Sequence, residues 1–147
     1  RNKVRQLPDS VVLVQSVDRL SLLEELERIG IRDDRFFEAL LEVSIAGEEQ
    51  KGGCPVEEIP SLLDAAEAMT HVRCRGFMTV APVVEHPEES RIYFKKMRTL
   101  FEKNRTIGYN RNQLDILSMG MSHDFEVALE EGATMVRIGT ALFGKRS

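Results

Sequence analysis

The run VVLVQSV, residues 11–17, decides the fold class together with the segments that follow it. It has the length and the β-branched composition of a buried strand. From Leu22 onward, apolar residues recur at i, i+4 and i+7, which predicts an amphipathic helix that Gly30 ends. A second apolar run follows at Phe37–Ile45. Because parallel strands need a long crossover between them, a strand, a helix and a strand in this order predict a parallel β-α-β unit.

The same alternation continues along the chain. Further strands are predicted at Val72–Ala81, Leu114–Met119 and Met135–Phe143. The predicted helices between the strands start near Pro55, Pro87 and Ser122. The buried stripe of the first of these helices is predicted to be Val56, Ile59, Leu63 and Ala66. Five strands and four helices indicate an α/β protein whose parallel sheet is covered by helices. Periodicity leaves two architectures open, an open doubly wound sheet and five-eighths of a (β/α)8 barrel.

Composition excludes several classes of function. The 147 residues, about one domain in length, carry 24 acidic and 20 basic side chains without a clustered basic face, which argues against a nucleic-acid partner. No apolar run approaches the roughly 20 residues that span a bilayer, so we expect no membrane partner. Cys54 and Cys74 form no CxxC pair, which predicts neither a disulfide framework nor a zinc site and favours a reducing cytoplasm.

Two segments that follow predicted strands carry residues suited to an anion. In parallel α/β folds, ligands lie beyond the carboxyl ends of the strands. In LSMGMSHD, residues 117–124, a strand runs through a glycine into a helix whose N-cap is predicted to be Ser122. The unpaired N–H groups of a helix N-terminus and the serine hydroxyl suit a phosphate. The alternative is that Ser122 only caps its own helix.

The second segment is VRIGTALFG, in which Arg137 interrupts an apolar strand. Alternation places Arg137 on the face opposite to its neighbours, in the interior or the mouth of the fold, so its guanidinium needs an anion or an acceptor. The N–H groups of Gly139 and Thr140, with the threonine hydroxyl, suit a phosphate site shared with Ser122. The alternative for Arg137 is a structural salt bridge to a carboxylate such as Asp115.

These segments carry a family resemblance that extends over nearly the whole chain. The run LSMGMS with Asp124, followed by EEGATMVRIGTALFG, resembles the C-terminal signature of the pyridoxal phosphate homeostasis proteins, the YggS/PROSC type. Upstream, the match continues through QSVDR, GEEQKG and RGFMT and reaches Asn2 and Lys3. The resemblance implies a single-domain (β/α)8 TIM barrel of the alanine racemase N-terminal type. It also implies that pyridoxal phosphate (PLP) is held as a Schiff base on a lysine.

Carried over residue by residue, the resemblance assigns Ser122, Gly139 and Thr140 to the phosphate of PLP and Arg137 to its pyridine nitrogen. A permanently cationic partner keeps that nitrogen unprotonated, so the ring is a poor electron sink and most carbanion chemistry is disfavoured. The resemblance therefore implies a cytoplasmic, non-catalytic PLP-binding protein of intracellular PLP homeostasis. Such a protein buffers or delivers the cofactor and influences amino-acid and keto-acid balance.

The chain departs from the family in its covalent anchor. The family's Schiff-base lysine lies on its first strand in a motif resembling Ala-Val-Ser-Lys, which does not occur among these residues. By family order, we expect residues 1–147 to be the C-terminal portion of a single PLP-binding barrel domain, an incomplete barrel whose first three βα units are absent. The exposed edge of its first strand would then pair with another copy, or would be covered by the rest of a longer polypeptide.

Two other functions stay open at the level of sequence. One is a racemase-like PLP enzyme acting on amino acids, which the shared barrel suggests. A racemase is expected to add a C-terminal domain that supplies an opposing base, and the sequence ends at Ser147, which favours the binding protein. The other is a truncated fragment that cannot hold the cofactor because its anchor lysine is missing.

Overall fold

The computed structural model describes residues 11–47 and 52–137. Strands and helices alternate along these residues. The strands are β1 (Val11–Val17), β2 (Phe36–Glu42), β3 (Val72–Met78), β4 (Ile116–Met121) and β5 (Met135–Arg137). The helices are α1 (Leu20–Asp33), α2 (Ile59–Glu67), α3 (Arg91–Arg105) and α4 (Phe125–Glu130). Short 3-10 turns at Val56–Glu58 and Pro87–Ser90 lead into α2 and α3.

The strands form one parallel sheet in the order β1-β2-β3-β4-β5, and a helix connects each strand to the next. This sequential order is typical of a (β/α)8 barrel, because a doubly wound sheet reverses its strand order at a switch point. The described strands and helices therefore form a half-barrel. The predicted fold class, an α/β protein with an incomplete parallel barrel, is confirmed.

The hydrophobic core lies between the sheet and the helices. Phe37, Ala39 and Leu41 of β2 point to this side, where Leu63 of α2 and Phe94 of α3 are fully buried. These alternate strand residues meet the apolar stripes of the helices, as the sequence periodicity predicts. Removal of this apolar surface from water is the main force that holds the helices on the sheet.

Glycine is required where β3 and β4 approach each other. Gly76 of β3 has a φ of +152°, and a Cβ at this position would stand 1.7 Å from the carbonyl oxygen of Ile116 in β4. No side chain fits at that distance from backbone. Gly76 therefore permits the backbones of β3 and β4 to approach closely where Gly76 pairs with Ile116.

The other face of the sheet, which is the inner face of the half-barrel, carries charged residues near the amino ends of the strands. Glu38 accepts hydrogen bonds from Arg73 at 2.9 Å and from Arg75 at 2.7 Å. Arg75 also donates to Asp115, just before β4, at 2.7 Å. Arg137 forms no ion pair with Asp115 and donates to neutral acceptors instead, so the alternative of a salt bridge between these two residues is wrong.

Two local predictions are also wrong. Helix α1 does not end at Gly30 but continues to Asp33, and Asp34 ends it by taking the left-handed conformation at a φ of 55°. Gly30 instead serves a close contact, because a Cβ there would stand 2.5 Å from the Cβ of His71. Val56 precedes α2 and is 38% exposed, so it does not belong to the buried stripe of that helix.

Among the described strands, β1 pairs only with β2 and forms one edge of the sheet. Its first residue, Val11, is 47% exposed, whereas Val17 at its carboxyl end is buried in the core. The apolar edge expected from the sequence is therefore present. Within the described ranges, no helix has both the length and the apolar character needed to cross a bilayer.

Candidate functional site

Arg137 lies at the carboxyl end of β5, on the inner face of the half-barrel. Its neighbour Val136 packs against the core, so strand alternation turns Arg137 to the opposite side. Its Nη1 donates a hydrogen bond to Oγ of Ser118 at 3.0 Å, and its Nη2 donates to the carbonyl oxygen of Thr79 at 3.1 Å. No carboxylate among residues 11–47 and 52–137 forms an ion pair with this guanidinium. Within these ranges, neutral acceptors hold the arginine in place.

Sheet register explains why two different strands reach the same arginine. Glu42 of β2 pairs with Met78 of β3, and Met78 pairs with Ser118 of β4, so the three residues form one row across the sheet. Thr79 follows this row directly, and its N–H donates to the carbonyl oxygen of Ser118 at 3.1 Å. Both Ser118 and Thr79 are fully buried. The acceptors of Arg137 are therefore fixed by the packing around them.

Burial dominates the electrostatics of this inner face. Burial lowers the pKa of Arg137, and the negative charges of Glu42 and Asp124 oppose this shift only in part. Burial also raises the pKa of Glu42; the negative charge of Asp18 adds to the rise and Arg137 opposes it. Arg137 stays cationic near neutral pH, because a guanidinium starts from a very high pKa. A ligand that brings acceptors or negative charge would be stabilised beside it.

The turn after β4 lies next to Arg137, because Met121 at the end of β4 pairs with Arg137 in the sheet. Ser122 follows Met121 and is exposed in this turn. Asp124 is buried and holds the turn: its Oδ1 accepts a hydrogen bond from the N–H of Met121 at 2.7 Å. The structure thus brings two predicted site residues, Ser122 and Arg137, to the same end of two neighbouring strands.

The prediction that Ser122 caps a helix is wrong. Helix α4 begins three residues later, at Phe125, and has only 6 residues. Ser122 instead belongs to the turn that Asp124 closes, and its hydroxyl makes no hydrogen bond to another described residue. The two remaining predicted site residues, Gly139 and Thr140, lie outside the described residues.

Sequence reasoning missed three residues that surround the arginine. Ser118 and Thr79 accept its hydrogen bonds, and Glu42 shares its inner face. Ser118 had a signal, since it is a polar residue between the core residues Leu117 and Met119 of an apolar strand. Glu42 had a comparable signal, since it is a charged residue between the core residues Leu41 and Val43. Thr79 had none, because it contributes its backbone carbonyl, which every residue possesses.

Gln15 of β1 offers a further observation. Its Oε1 is buried without a hydrogen-bond partner in the described residues, in the part of β1 where the pairing with β2 is irregular. An unpaired buried acceptor costs about 1–3 kcal/mol, so this oxygen requires a donor. The polar groups of the inner face around Arg137 fit PLP, whose ring nitrogen accepts from a guanidinium and whose phosphate accepts from hydroxyl and N–H groups.

The fold and the site together define a class of protein: a parallel β/α barrel that carries a fixed cation and buried polar groups at the carboxyl ends of its strands. The family model described as "Alanine racemase, N-terminal domain" matches residues 2–147. The chain belongs to the alanine racemase N-terminal domain family, which confirms the predicted type of barrel.

Similar proteins define the resemblance more closely. The pyridoxal phosphate homeostasis protein of Aquifex aeolicus is 46% identical over 145 residues, which cover 99% of this chain and 63% of the relative. The protein of the same name from Pseudomonas aeruginosa is 38% identical over 146 residues, which cover 99% and 60%. PipY of Synechococcus elongatus, solved with PLP bound, is 31% identical, with a TM-score of 0.80 over 97% of this chain and 66% of that chain. The resemblance drawn from the sequence is confirmed, and the chain spans about three fifths of the curated relatives it matches.

Proposed function

We propose that this chain is the PLP-binding portion of a protein of intracellular PLP homeostasis, which buffers or delivers the cofactor and thereby influences amino-acid and keto-acid balance. One observation carries the proposal. The guanidinium of Arg137 is held on the inner face by Ser118 and Thr79, without a carboxylate partner in the described residues, beside the turn of Ser122. Relatives named for PLP homeostasis, and PipY with PLP bound, support the same function.

In this proposal Ser122, Gly139 and Thr140 hold the phosphate of PLP, and Arg137 donates a hydrogen bond to the pyridine nitrogen. When bound, PLP supplies an aldehyde that reacts with primary amines. Because a guanidinium does not give up its proton near neutral pH, the ring nitrogen beside it stays unprotonated and withdraws electrons only weakly. This favours a cofactor carrier over a transaminase, whose chemistry needs the ring as a strong electron sink.

The proposal extends to the organisation of the chain. We propose that residues 1–147 correspond to the C-terminal portion of a single PLP-binding barrel domain and that its first three βα units are not among them. In the isolated chain, the open edge of β1 would then pair with a second copy. Light scattering after size-exclusion chromatography tests this, and a monomer at all concentrations would contradict it. The buried free thiols of Cys54 and Cys74 accord with a cytoplasmic location, and neither a nucleic acid nor a membrane is proposed as a partner.

A PLP titration of the 147-residue chain, followed by absorbance, tests the proposed function. We expect saturable binding that is weakened by Ser122→Asp, because the new carboxylate repels the phosphate. Ser61→Asp places the same charge at an exposed position of α2 and should leave the affinity unchanged. If the wild-type chain shows no saturable binding, the hypothesis of a truncated fragment that cannot hold the cofactor replaces this proposal. If the PLP-loaded chain racemises amino acids, the hypothesis of a racemase-like enzyme replaces it.

A further inference from the structure

Helix α3 borders an apolar groove of about 470 Å3 on the outer surface of the half-barrel. Ile92 and Leu100 of α3 form one wall, and Ile45 and Val56, from the segment between β2 and α2, form the other. Ile92 is 56% exposed and Val56 is 38% exposed, although both are large apolar residues. We call this feature the α3 groove. Clustered apolar exposure of this kind marks an interaction site more often than isolated apolar residues do.

Three lysines line the rim of the α3 groove. Lys95, Lys96 and Lys103 are exposed, and none of them forms an ion pair or a hydrogen bond with another residue in the described ranges. Their aliphatic stems extend the apolar wall while their ammonium groups stay in water. The groove therefore combines an apolar floor with a rim of three positive charges in a chain whose net charge is −4.

The arginines of the same helix behave differently. Arg98 and Arg105 both pair with Glu102, and Arg91 pairs with Glu130 and Glu131 at 2.6 Å each. Every arginine of α3 thus has a carboxylate partner in the described chain, with Glu102 shared by two of them, whereas the lysines at the groove form no ion pair there. The unpaired positive charge of α3 is concentrated where the apolar surface is exposed.

The spacing of the groove residues along α3 indicates the length of a segment that could bind there. From Ile92 to Lys103 the α3 residues at the groove follow the i, i+3, i+4, i+7 pattern of one helix face. At 1.5 Å per residue this face is about 17 Å long, or about three helical turns. An amphipathic helix of similar length would match both walls, which is the usual geometry of a helix bound in a groove.

We propose that the α3 groove binds an acidic amphipathic helix of a partner protein. Its apolar side chains fill the groove, and its flanking carboxylates pair with Lys95, Lys96 and Lys103. A second copy of this chain is a poor occupant, because a two-fold contact would bring the lysines of both copies together. The groove lies on the helix side of the sheet, opposite to Arg137, so the inference does not depend on PLP binding.

The proposal is tested with two synthetic helical peptides of about 18 residues that share one leucine stripe. One peptide carries glutamates beside the stripe and the other carries lysines, and both are fluorescently labelled for anisotropy with the full chain in the absence of PLP. We expect the acidic peptide to bind about tenfold more tightly than the basic one, and its affinity to fall as salt rises. The variant with Lys95, Lys96 and Lys103 all changed to Glu should reverse this preference.

One single variant tests the apolar contribution to peptide binding, and a second serves as a control for charge away from the groove. Ile92→Gln removes an apolar wall without adding charge and should weaken the acidic peptide about tenfold. Arg28→Glu reverses one exposed charge on α1, away from the groove, and should leave the affinity within about twofold. Circular dichroism of every variant establishes that it is folded.

Three outcomes would overturn the proposal. The first is equal affinity of the wild-type chain for the two peptides. The second is self-association that the triple lysine variant abolishes, which would make a second copy the occupant. The third is that the acidic peptide binds only after Glu48→Gln and Glu49→Gln, which would make the chain's own residues 48–51 the occupant.

Discussion

The Arg137→Met variant should lose affinity for PLP, while its free energy of unfolding should change little. In the wild type the guanidinium donates to Ser118 and Thr79, and hydrogen bonds from a charged group contribute about 1.5–3 kcal/mol each. The cost of burying the charge, which is also the cause of the lowered pKa of Arg137, opposes this gain. We expect the two effects to cancel in large part. The free energy of unfolding of Arg137→Met should therefore differ from that of the wild type by at most about 1–2 kcal/mol.

The affinity for PLP should change more. In the proposed site Arg137 donates one charge-assisted hydrogen bond to the ring nitrogen, whose loss costs about 1.5–3 kcal/mol. This corresponds to an increase in Kd of about 10- to 150-fold. Urea unfolding followed by circular dichroism measures the stability, and the PLP titration measures the affinity at the same temperature.

Arg75→Met is the matched control, because Arg75 is an inner-face arginine at the opposite ends of the strands. It bridges Glu38 and Asp115; after its loss Glu38 keeps Arg73 as a partner, whereas Asp115 loses its ion pair. Since the Asp115 side chain is 42% exposed, we expect a loss of about 2–3 kcal/mol, below the value for fully buried pairs. Its affinity for PLP should stay within about twofold of the wild type, because it does not contact the proposed site.

The result that would refute this reasoning is the reverse pattern. If Arg137→Met destabilised the fold as much as Arg75→Met and kept the affinity of the wild type for PLP, Arg137 would be a structural residue. The proposed site would then lose its central cation.

The remaining predictions concern the fold and its dependence on pH. Gly76→Ala should prevent folding, at a cost above about 4 kcal/mol, because its Cβ would overlap the carbonyl oxygen of Ile116; a native circular dichroism spectrum would contradict this. Burial raises the pKa of Glu42, so the protonated form is favoured in the fold and stability is lost as pH rises through the raised pKa. In urea unfolding across acidic and neutral pH, Glu42→Gln should be more stable than the wild type at neutral pH, and an unchanged pH profile would refute the assignment. For Glu67, hydrogen bonds from the N–H groups of residues 110–112 outweigh burial and lower the pKa, so its contribution is present at neutral pH and lost as pH falls. Glu67→Gln should therefore be less stable than the wild type at neutral pH, and the difference should disappear in acid.

Much of the architecture was predictable because hydrophobic periodicity is a local property. The predicted and observed bounds of β1 agree, Val11–Val17, since Val17 is its last apolar residue and the charged residues Asp18 and Arg19 follow. The inward direction of Arg137 was predictable for the same reason, because alternation in a strand depends only on sequence position. The bounds of helices were less predictable. Gly30 looked like a helix end but lies inside α1, because its missing side chain makes room for His71.

The amino-acid sequence by itself determined the alternation of strands and helices, their parallel arrangement and the placement of a cation on the inner face. The tertiary structure decided between an open sheet and a barrel, and it decided the partners of that cation. Arg137 binds Ser118 and Thr79, while Asp115 binds Arg75, because sheet register brings residues from separate strands into contact. The hydrophobic pattern of a strand determines which face it buries, but the residues it meets depend on packing against segments far apart in the chain.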